Sequence, residues 1–109
     1  MVTTVDDSVF ESDVLASDLP VLVEFGAAWC PPCRALAPVL EAIADERATD
    51  LRVVSIDVDA NPITQARYGV MSLPTLLLFV GGRVVRQSIG FLPKGRLLAV
   101  VDEVLATAA

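Results

Sequence analysis

The sequence predicts an α/β fold built on a mixed sheet, and three observations indicate it. Two apolar, β-branched segments at residues 21–25 and 51–58 flank a long stretch with helical spacing, and such a strand–helix–strand connection makes the two strands parallel. Gly81-Gly82 separates two further apolar segments, as a two-residue hairpin turn does. The chain has 109 residues, of which 54% are hydrophobic and 20% charged, so we expect one compact domain spanning residues 1–109.

The N-terminal third predicts a short helix followed by a buried strand. Ser8 with Glu11 three residues later has the form of a capping box, so a helix is expected over about residues 8–17. Residues 21–25 then indicate a strand that is buried on both faces except at Glu24.

The middle third predicts a long helix and a short one around the second strand. Apolar residues recur at helical spacing up to about Arg47, and Pro38 within this stretch predicts a kink. Asn61 as N-cap, Pro62 at the first helical position and Gly69 just past the end delimit the short helix.

The C-terminal third predicts an antiparallel hairpin and a last helix. Residues 76–80 and 84–89 flank the glycine pair and are expected to pair with each other. Pro93 opens the last helix, whose amphipathic pattern predicts a buried stripe of five residues. The stripe consists of Leu97, Leu98, Val101, Val104 and Leu105.

The composition excludes several classes of function. Eight basic and fourteen acidic residues give a net charge of −6, so nucleic acid would be repelled on average and is not an expected partner. The sequence has no His, which excludes every catalytic triad built on that residue. The N-terminus lacks the basic and apolar parts of a secretory signal and no segment is long enough to span a bilayer, so we expect a soluble, cytoplasmic protein without membrane contact.

Cys30 and Cys33 are the only cysteines, and they carry the predicted chemistry. They lie where the first central strand is followed by the long helix, so the helix N-terminus should stabilise a Cys30 thiolate and lower the pKa of Cys30 below the free value of about 8.5. Cysteines three residues apart in a helical turn can also form a disulfide. A zinc site would need about four ligands, and a purely structural disulfide over so short a loop would remove little chain entropy. We favour redox activity, with these two alternatives open.

The chain resembles the thioredoxins from end to end. The resemblance implies the thioredoxin fold, a three-layer α/β/α arrangement around a central mixed sheet of four to five strands with about four helices. It also implies a monomeric protein-disulfide reductase with no bound cofactor or metal, which thioredoxin reductase recharges with electrons from NADPH. The matching stretches are Val23-Glu24-Phe25, Ala28-Trp29-Cys30-Pro31-Pro32-Cys33-Arg34, Asp57-Val58-Asp59-Ala60-Asn61-Pro62, Tyr68-Gly69-Val70, Leu73-Pro74-Thr75-Leu76, Phe79, Gly81-Gly82 and Gly90.

The resemblance assigns roles to three residues in thiol–disulfide exchange. Cys30 would be the nucleophile that attacks the substrate disulfide, and Cys33 the resolving thiol that closes the Cys30–Cys33 disulfide. Glu24 would be the buried acid and base for Cys33. Strand alternation alone favours an ordinary Glu24 that points out of the strand, but thioredoxins carry a buried acid, usually Asp, at the matching position.

The resemblance further implies a substrate surface around Cys30. The matching proline is cis in thioredoxins, so we expect a cis Leu73–Pro74 bond that leaves the Leu73 backbone free to pair with an extended substrate segment. Met71 and Phe91 could equally be core residues. The expected surface consists of Trp29, Met71, Leu73, Pro74, Gly90 and Phe91.

Five positions depart from the usual thioredoxin pattern. Pro31 replaces a glycine, so neither Pro31 nor Pro32 offers an N–H to Cys30, and we expect both prolines to tune the redox potential. Glu24 is one methylene longer than Asp, and burial without a neighbouring cation should raise the pKa of its carboxyl group. The other departures are Gly26 in place of a bulky aromatic residue, Ser55 in place of a lysine near the buried acid, and Arg34 in place of a lysine.

Two other functions stay open on the sequence alone. An oxidase or isomerase would need a higher reduction potential and is usually exported. A redox-independent binding subunit or chaperone-like module on the same fold would leave the cysteine pair unused.

Overall fold

A five-stranded mixed sheet forms the centre of the computed structural model, which describes residues 1–108. The strand order is β1-β3-β2-β4-β5; β1, β2 and β3 are parallel, whereas β4 and β5 are antiparallel to their neighbours. This arrangement confirms the predicted mixed sheet and adds β1 at one edge. The strands are β1 (Thr3–Val5), β2 (Val21–Gly26), β3 (Arg52–Asp57), β4 (Thr75–Val80) and β5 (Arg83–Ile89).

Helices cover both faces of the sheet and complete three layers. The N-terminal helical segment, Glu11–Leu15, is π-helical, because the Ala16 N–H donates to the Glu11 carbonyl oxygen at 2.9 Å, five residues back. The three α-helices are α1 (Pro31–Glu46), α2 (Pro62–Arg67) and α3 (Lys94–Ala108).

The sheet separates two hydrophobic clusters, and β2 contributes to both. Because successive side chains of a strand point to opposite faces, Val23 and Phe25 join the cluster beneath the N-terminal segment, whereas Leu22 joins the cluster beneath α1 and α3. Glu24 has the parity of Leu22, so it points toward α1. The residues of α1 that pack in this second cluster are Leu36, Leu40, Ile43 and Ala44.

The start of the N-terminal helix differs from the prediction. Asp6, rather than Ser8, caps this turn, because Asp6 Oδ1 accepts hydrogen bonds from the N–H groups of Ser8 at 2.9 Å and Val9 at 3.1 Å. The predicted Ser8–Glu11 capping box was therefore wrong. Asp6, two residues earlier, binds the Ser8 N–H that the box would have paired with Glu11, and it also accepts from the Ser8 hydroxyl at 2.6 Å.

The cap of α2 also differs from the prediction. Asn61 occupies the N-cap position, but its side chain donates to the Asp57 carbonyl oxygen at 2.9 Å and accepts from the Asp7 N–H at 2.8 Å. Asp7 caps the helix instead: its Oδ1 accepts from the Thr64 N–H at 2.9 Å and the Thr64 hydroxyl at 2.6 Å, and its Oδ2 from the Ile63 N–H at 3.3 Å. These bonds, led by the Thr64 hydroxyl, hold the pKa of Asp7 below its usual value.

The C-terminal half follows the prediction closely. Gly81 and Gly82 have φ angles of 58° and 80° and turn β4 into β5. The helix α3 begins directly after Pro93, and α1 continues past Pro38 to Glu46. The predicted stripe on α3 is partly confirmed, since Leu97, Val101 and Val104 are buried, whereas Leu98 and Leu105 are half-buried at the border of the cluster. Within residues 1–108, no helix combines the length and apolar character needed to cross a membrane.

Candidate active site

The two cysteines lie at the junction of β2 and α1 and form a disulfide. Cys30 is the extended residue immediately before α1, with φ −89° and ψ 108°, and Cys33 lies in its first turn with a Cα–Cα distance of 5.2 Å. The Cys33 N–H donates to Cys30 Sγ at 3.3 Å. Because Pro31 and Pro32 have no N–H groups, the sulfur takes the place of an N-cap oxygen for the first N–H that the helix offers.

The disulfide separates two openings in the surface. Both cysteines are buried, but each one borders a different opening. Cys30 lines a groove of about 390 Å³ on the outer side, together with Trp29, Met71 and Leu73. Cys33 lines a cavity of about 290 Å³ on the inner side, together with Glu24. Cys30 is therefore approached from the groove, whereas the cavity brings solvent close to Cys33.

Glu24 is a buried carboxylate in the middle of the sheet. It pairs in register with Ser55 of β3 and Leu76 of β4, and only 8% of its surface is exposed. The interpretation of an outward-pointing Glu24 was therefore wrong, because both neighbouring strands and α1 enclose it. Desolvation by burial raises the pKa of Glu24 to about 7.

The Glu24 carboxyl group and the Cys33 sulfur lie on either side of one small space beside Gly26. A Cβ atom placed on Gly26 would overlap Glu24 Oε2 and would lie 3.1 Å from Glu24 Cδ and 3.3 Å from Cys33 Sγ. The carboxyl carbon and the sulfur can be no further apart than the sum of these two distances. The Glu24 carboxyl group and the Cys33 sulfur therefore border the same space beside Gly26.

The polar groups on the cavity wall do not offset the cost of burying the Glu24 carboxylate. Ser55 and Arg34 both line the cavity. The Arg34 guanidinium, however, donates to the Ala28 carbonyl oxygen at 2.8 Å, in the loop before α1. Burial is accordingly the cause of the raised pKa of Glu24.

Exposed apolar side chains surround the outer groove. Trp29 is 64% exposed, Met71 92% and Phe91 45%, which argues against core roles for Met71 and Phe91. The Leu73–Pro74 bond is cis, and the Pro74 carbonyl oxygen accepts from the Gly90 N–H at 2.8 Å. Trp29, Met71 and Leu73 thus lie together on the groove wall, and Gly90 adjoins them through Pro74. Phe91 follows Gly90 outside that wall.

Sequence reasoning missed Asp59 on the groove wall. The Trp29 ring N–H donates to Asp59 Oδ2 at 2.6 Å, which orients the exposed indole beside Cys30. The two residues are 30 positions apart in the chain, and no local pattern connects them. Across residues 1–108, the structure shows no cluster of three or more His, Cys, Asp or Glu side chains placed to hold a metal ion.

Comparison with known proteins gives one consistent result. The family model described as Thioredoxin matches residues 1–103. A thioredoxin of Mycobacterium tuberculosis is 50% identical over 101 residues, which cover 93% of this chain and 87% of the relative. A thioredoxin of Alicyclobacillus acidocaldarius is 49% identical over 102 residues, or 94% of this chain and 96% of its own. A thioredoxin of Streptomyces clavuligerus is 52% identical over 94 residues, which cover 86% of this chain and 87% of the relative.

Proposed function

The chain belongs to the thioredoxin family and is a thiol–disulfide oxidoreductase that reduces protein disulfides, and on this basis we propose a role in the reaction for each residue of the site. Cys30 is the nucleophile, Cys33 the resolving thiol and Glu24 the proton acceptor for Cys33. The observation that carries the proposal is the Cys30–Cys33 disulfide at the start of α1, with a buried carboxyl group beside its inner sulfur.

In the first step, the Cys30 thiolate attacks one sulfur of the substrate disulfide. A bond forms between Cys30 Sγ and that sulfur, the substrate S–S bond breaks, and the second substrate sulfur leaves as a thiolate that takes a proton from water. Two features support this role for Cys30. The Cys33 N–H points at Cys30 Sγ and stabilises negative charge there, and Cys30 borders the outer groove.

In the second step, Cys33 releases the substrate. The Cys33 thiol gives its proton to the Glu24 carboxylate, and the thiolate attacks Cys30 Sγ. The Cys30–Cys33 bond forms as the bond from Cys30 to the substrate breaks, and the substrate sulfur leaves as a thiolate that takes a proton from water. Over both steps the substrate gains two electrons and the protein loses two. A pKa of about 7 for Glu24 suits this transfer, because a base works best when its pKa lies near the working pH.

The outer groove holds the substrate chain. We assign to the substrate surface Trp29 and Leu73 of the groove wall together with the adjoining Pro74, Gly90 and Phe91; exposed apolar side chains contact the substrate there, and the Leu73 backbone pairs with an extended segment. Backbone pairing reads the shape of a segment more than its sequence. Such a site accepts many disulfide-bonded proteins.

The same proposal covers the partners and the setting of the reaction. Residues 1–109 act as one monomeric domain in the cytoplasm, with disulfide-containing proteins as substrates and thioredoxin reductase as the source of electrons. NADPH enters through that reductase, and the only redox group on this chain is the Cys30–Cys33 pair. Pro31 and Pro32 tune its potential, because they remove two N–H groups from the turn around Cys30. The net charge of −6 argues against nucleic acids as partners, and the proposed reaction needs no membrane.

Cysteine replacement tests the two assigned roles. In insulin reduction with dithiothreitol or the cognate reductase, Cys30→Ser should reduce the rate to the level without protein, because no nucleophile is left. Cys33→Ser should form a mixed disulfide with the substrate that persists and is detectable by mass spectrometry, because the resolving thiol is missing. Turnover that survives Cys30→Ser would contradict the redox role and favour a binding module.

The reduction potential separates a reductase from an oxidase. Equilibration of the Cys30–Cys33 pair with glutathione buffers measures this potential directly. A value below the cytosolic glutathione poise supports the reductase, whereas a value above it supports an oxidase or isomerase.

A further inference from the structure

Gly26 is a glycine that its backbone conformation does not require. It is the last residue of β2, pairs in register with Asp57, and is absent from the glycines with positive φ. A glycine at a strand position contributes no side-chain packing, and it often marks a place where another group approaches the backbone closely. The reason for glycine here is therefore the space that a side chain would fill.

Two reacting groups occupy the surroundings of that space. Any residue other than glycine has a Cβ atom at the same position, where it would overlap Glu24 Oε2 and lie within 3.3 Å of Cys33 Sγ. The sulfur is fixed by α1 and the disulfide, whereas Glu24 ends in a flexible side chain. The carboxyl group would be the one to move, and the open direction is the cavity that Glu24 and Gly26 both line.

We propose that Gly26 is a positioning residue for proton transfer, because its missing side chain reserves the space in which the Glu24 carboxyl group lies beside Cys33. This inference rests on the proposed role of Glu24. The proton moves from Cys33 Sγ to a Glu24 carboxylate oxygen, and the resulting thiolate breaks the mixed disulfide as described above. Gly26 lines the inner cavity and not the outer groove beside Cys30, so we expect it to act on the second step.

The shorter side chain of Asp provides a direct test of this steric argument. With Gly26→Ala alone, the Glu24 carboxyl group is pushed into the cavity and away from Cys33. With Gly26→Ala and Glu24→Asp together, the carboxyl group ends one methylene earlier and no atom remains at the position of Oε2. The effect of Gly26→Ala should therefore depend on which acid stands at position 24.

The experiment measures the two steps separately. Each reduced variant is mixed with one equivalent of the symmetric disulfide of thionitrobenzoate, which releases one coloured thiolate when Cys30 attacks and a second when Cys33 resolves. The variants are Gly26→Ala, Glu24→Asp, the double variant and Glu24→Gln. Gly95→Ala is the matched control. Gly95 lies in α3, and a Cβ atom at this position would meet no atom within 4 Å.

We expect Gly26→Ala to slow the second release by about 10- to 100-fold, as misplaced proton-transfer groups do, and to change the first by less than about twofold. The dependence of the second release on the ionisation of Glu24, whose pKa is about 7, should be lost, because the displaced carboxyl group no longer accepts the Cys33 proton. In the Glu24→Asp background, the same substitution should cost less than about threefold. Gly95→Ala should leave both releases unchanged.

Other outcomes overturn the inference in distinguishable ways. If Glu24→Gln slows the second release and Gly26→Ala does not, Glu24 is the base and Gly26 has no positioning role. If Gly26→Ala slows it equally in both backgrounds, the effect is not steric. If Glu24→Gln leaves the second release unchanged, the proposed role of Glu24 fails, and the inference fails with it. If Gly26→Ala alone does not fold, a folded double variant that resolves at the Glu24→Asp rate supports the inference, and an unfolded one contradicts it.

Discussion

Glu24 shows how one residue can serve the reaction and weaken the fold. Its carboxyl group lies on the face of the sheet that packs against α1 and α3, among apolar side chains such as Leu22 and Leu76. An ionised carboxylate at this position is shielded from water and has no paired cation, so the charged form is disfavoured. The same burial that raises the pKa of Glu24 to about 7 makes the ionised protein less stable than the neutral one.

We predict that the oxidised protein loses stability as the pH rises from about 4 to 8. The folded pKa of about 7 exceeds the ordinary value of 4.5, so the native state binds more protons than the unfolded chain between these values. The stability is complete below the lower value and falls as the pH passes through the upper one. The free energy of unfolding measured in urea should decrease by about 2–3 kcal/mol over this range. This is less than the full pKa shift implies, because solvent in the adjoining cavity screens the carboxylate.

Glu24→Gln is the matched variant for this prediction, because it keeps the shape of the side chain and cannot ionise. Its free energy of unfolding should lack this decrease, so the difference between the variant and the native sequence should grow with pH and be largest at pH 8. A native protein whose stability rises over this range would contradict the raised pKa.

At the scale of elements, the N-terminal segment and α2 depend on each other. The helix α2 has only six residues, and helices this short are not stable by themselves. Its free N–H groups are satisfied by Asp7, which lies 57 positions before Thr64. A side chain from outside the helix therefore fixes both where α2 begins and where the N-terminal segment lies.

Asp7→Ala should lower the free energy of unfolding at pH 7 by an amount typical of a lost helix cap, because α2 loses the acceptor of its first N–H groups. Asp18→Ala is the matched control: it removes the same charge from an exposed position and should change stability by less than about 0.5 kcal/mol. Because the folded pKa of Asp7 is lowered, its contribution is complete above the unfolded value and disappears as the pH falls through the folded one. Equal effects of the two substitutions in urea unfolding would show that Asp7 is not a cap.

The parts of the fold that sequence could predict are those with local signals. The hairpin follows from two adjacent glycines, and the position of Cys30 at the start of α1 follows from the change of periodicity after β2. The burial of Glu24 does not follow in this way, because a strand covered on both faces has no solvent side to reveal where a charge points. The Asp7 cap and the contact between Trp29 and Asp59 join distant positions, and only the folded chain brings them together.

At the scale of the whole molecule, one sheet connects two hydrophobic clusters. Leu22 and Val23 are neighbours in β2 but pack in different clusters. A substitution that leaves an empty space in one cluster therefore also weakens the strands on which the other cluster depends. We expect the two faces to unfold in a single transition, as is usual for a domain of this size.

Leu36→Ala should lower the free energy of unfolding by about 2–5 kcal/mol, because the side chain of Leu36 on α1 is fully buried in the second cluster. Ile63→Ala removes a side chain of similar size that is 72% exposed and should cost less than about 0.5 kcal/mol. Urea unfolding followed by circular dichroism and by the fluorescence of Trp29, the single tryptophan, should give one coincident curve for each variant. Separate curves for the two probes would contradict cooperation between the faces.

The strand order has a consequence for the chain as it leaves the ribosome. The first strand made, β1, pairs only with β3, and the central β2 lacks one of its two neighbours until β4 has been made. During the synthesis of its first half, the nascent chain therefore holds apolar strands with unpaired edges, which are prone to aggregation. The strand β2 has both neighbours only after residues 75–80 have emerged. A ribosome that stalls earlier therefore leaves one edge of β2 unpaired, as a site that chaperones would have to protect.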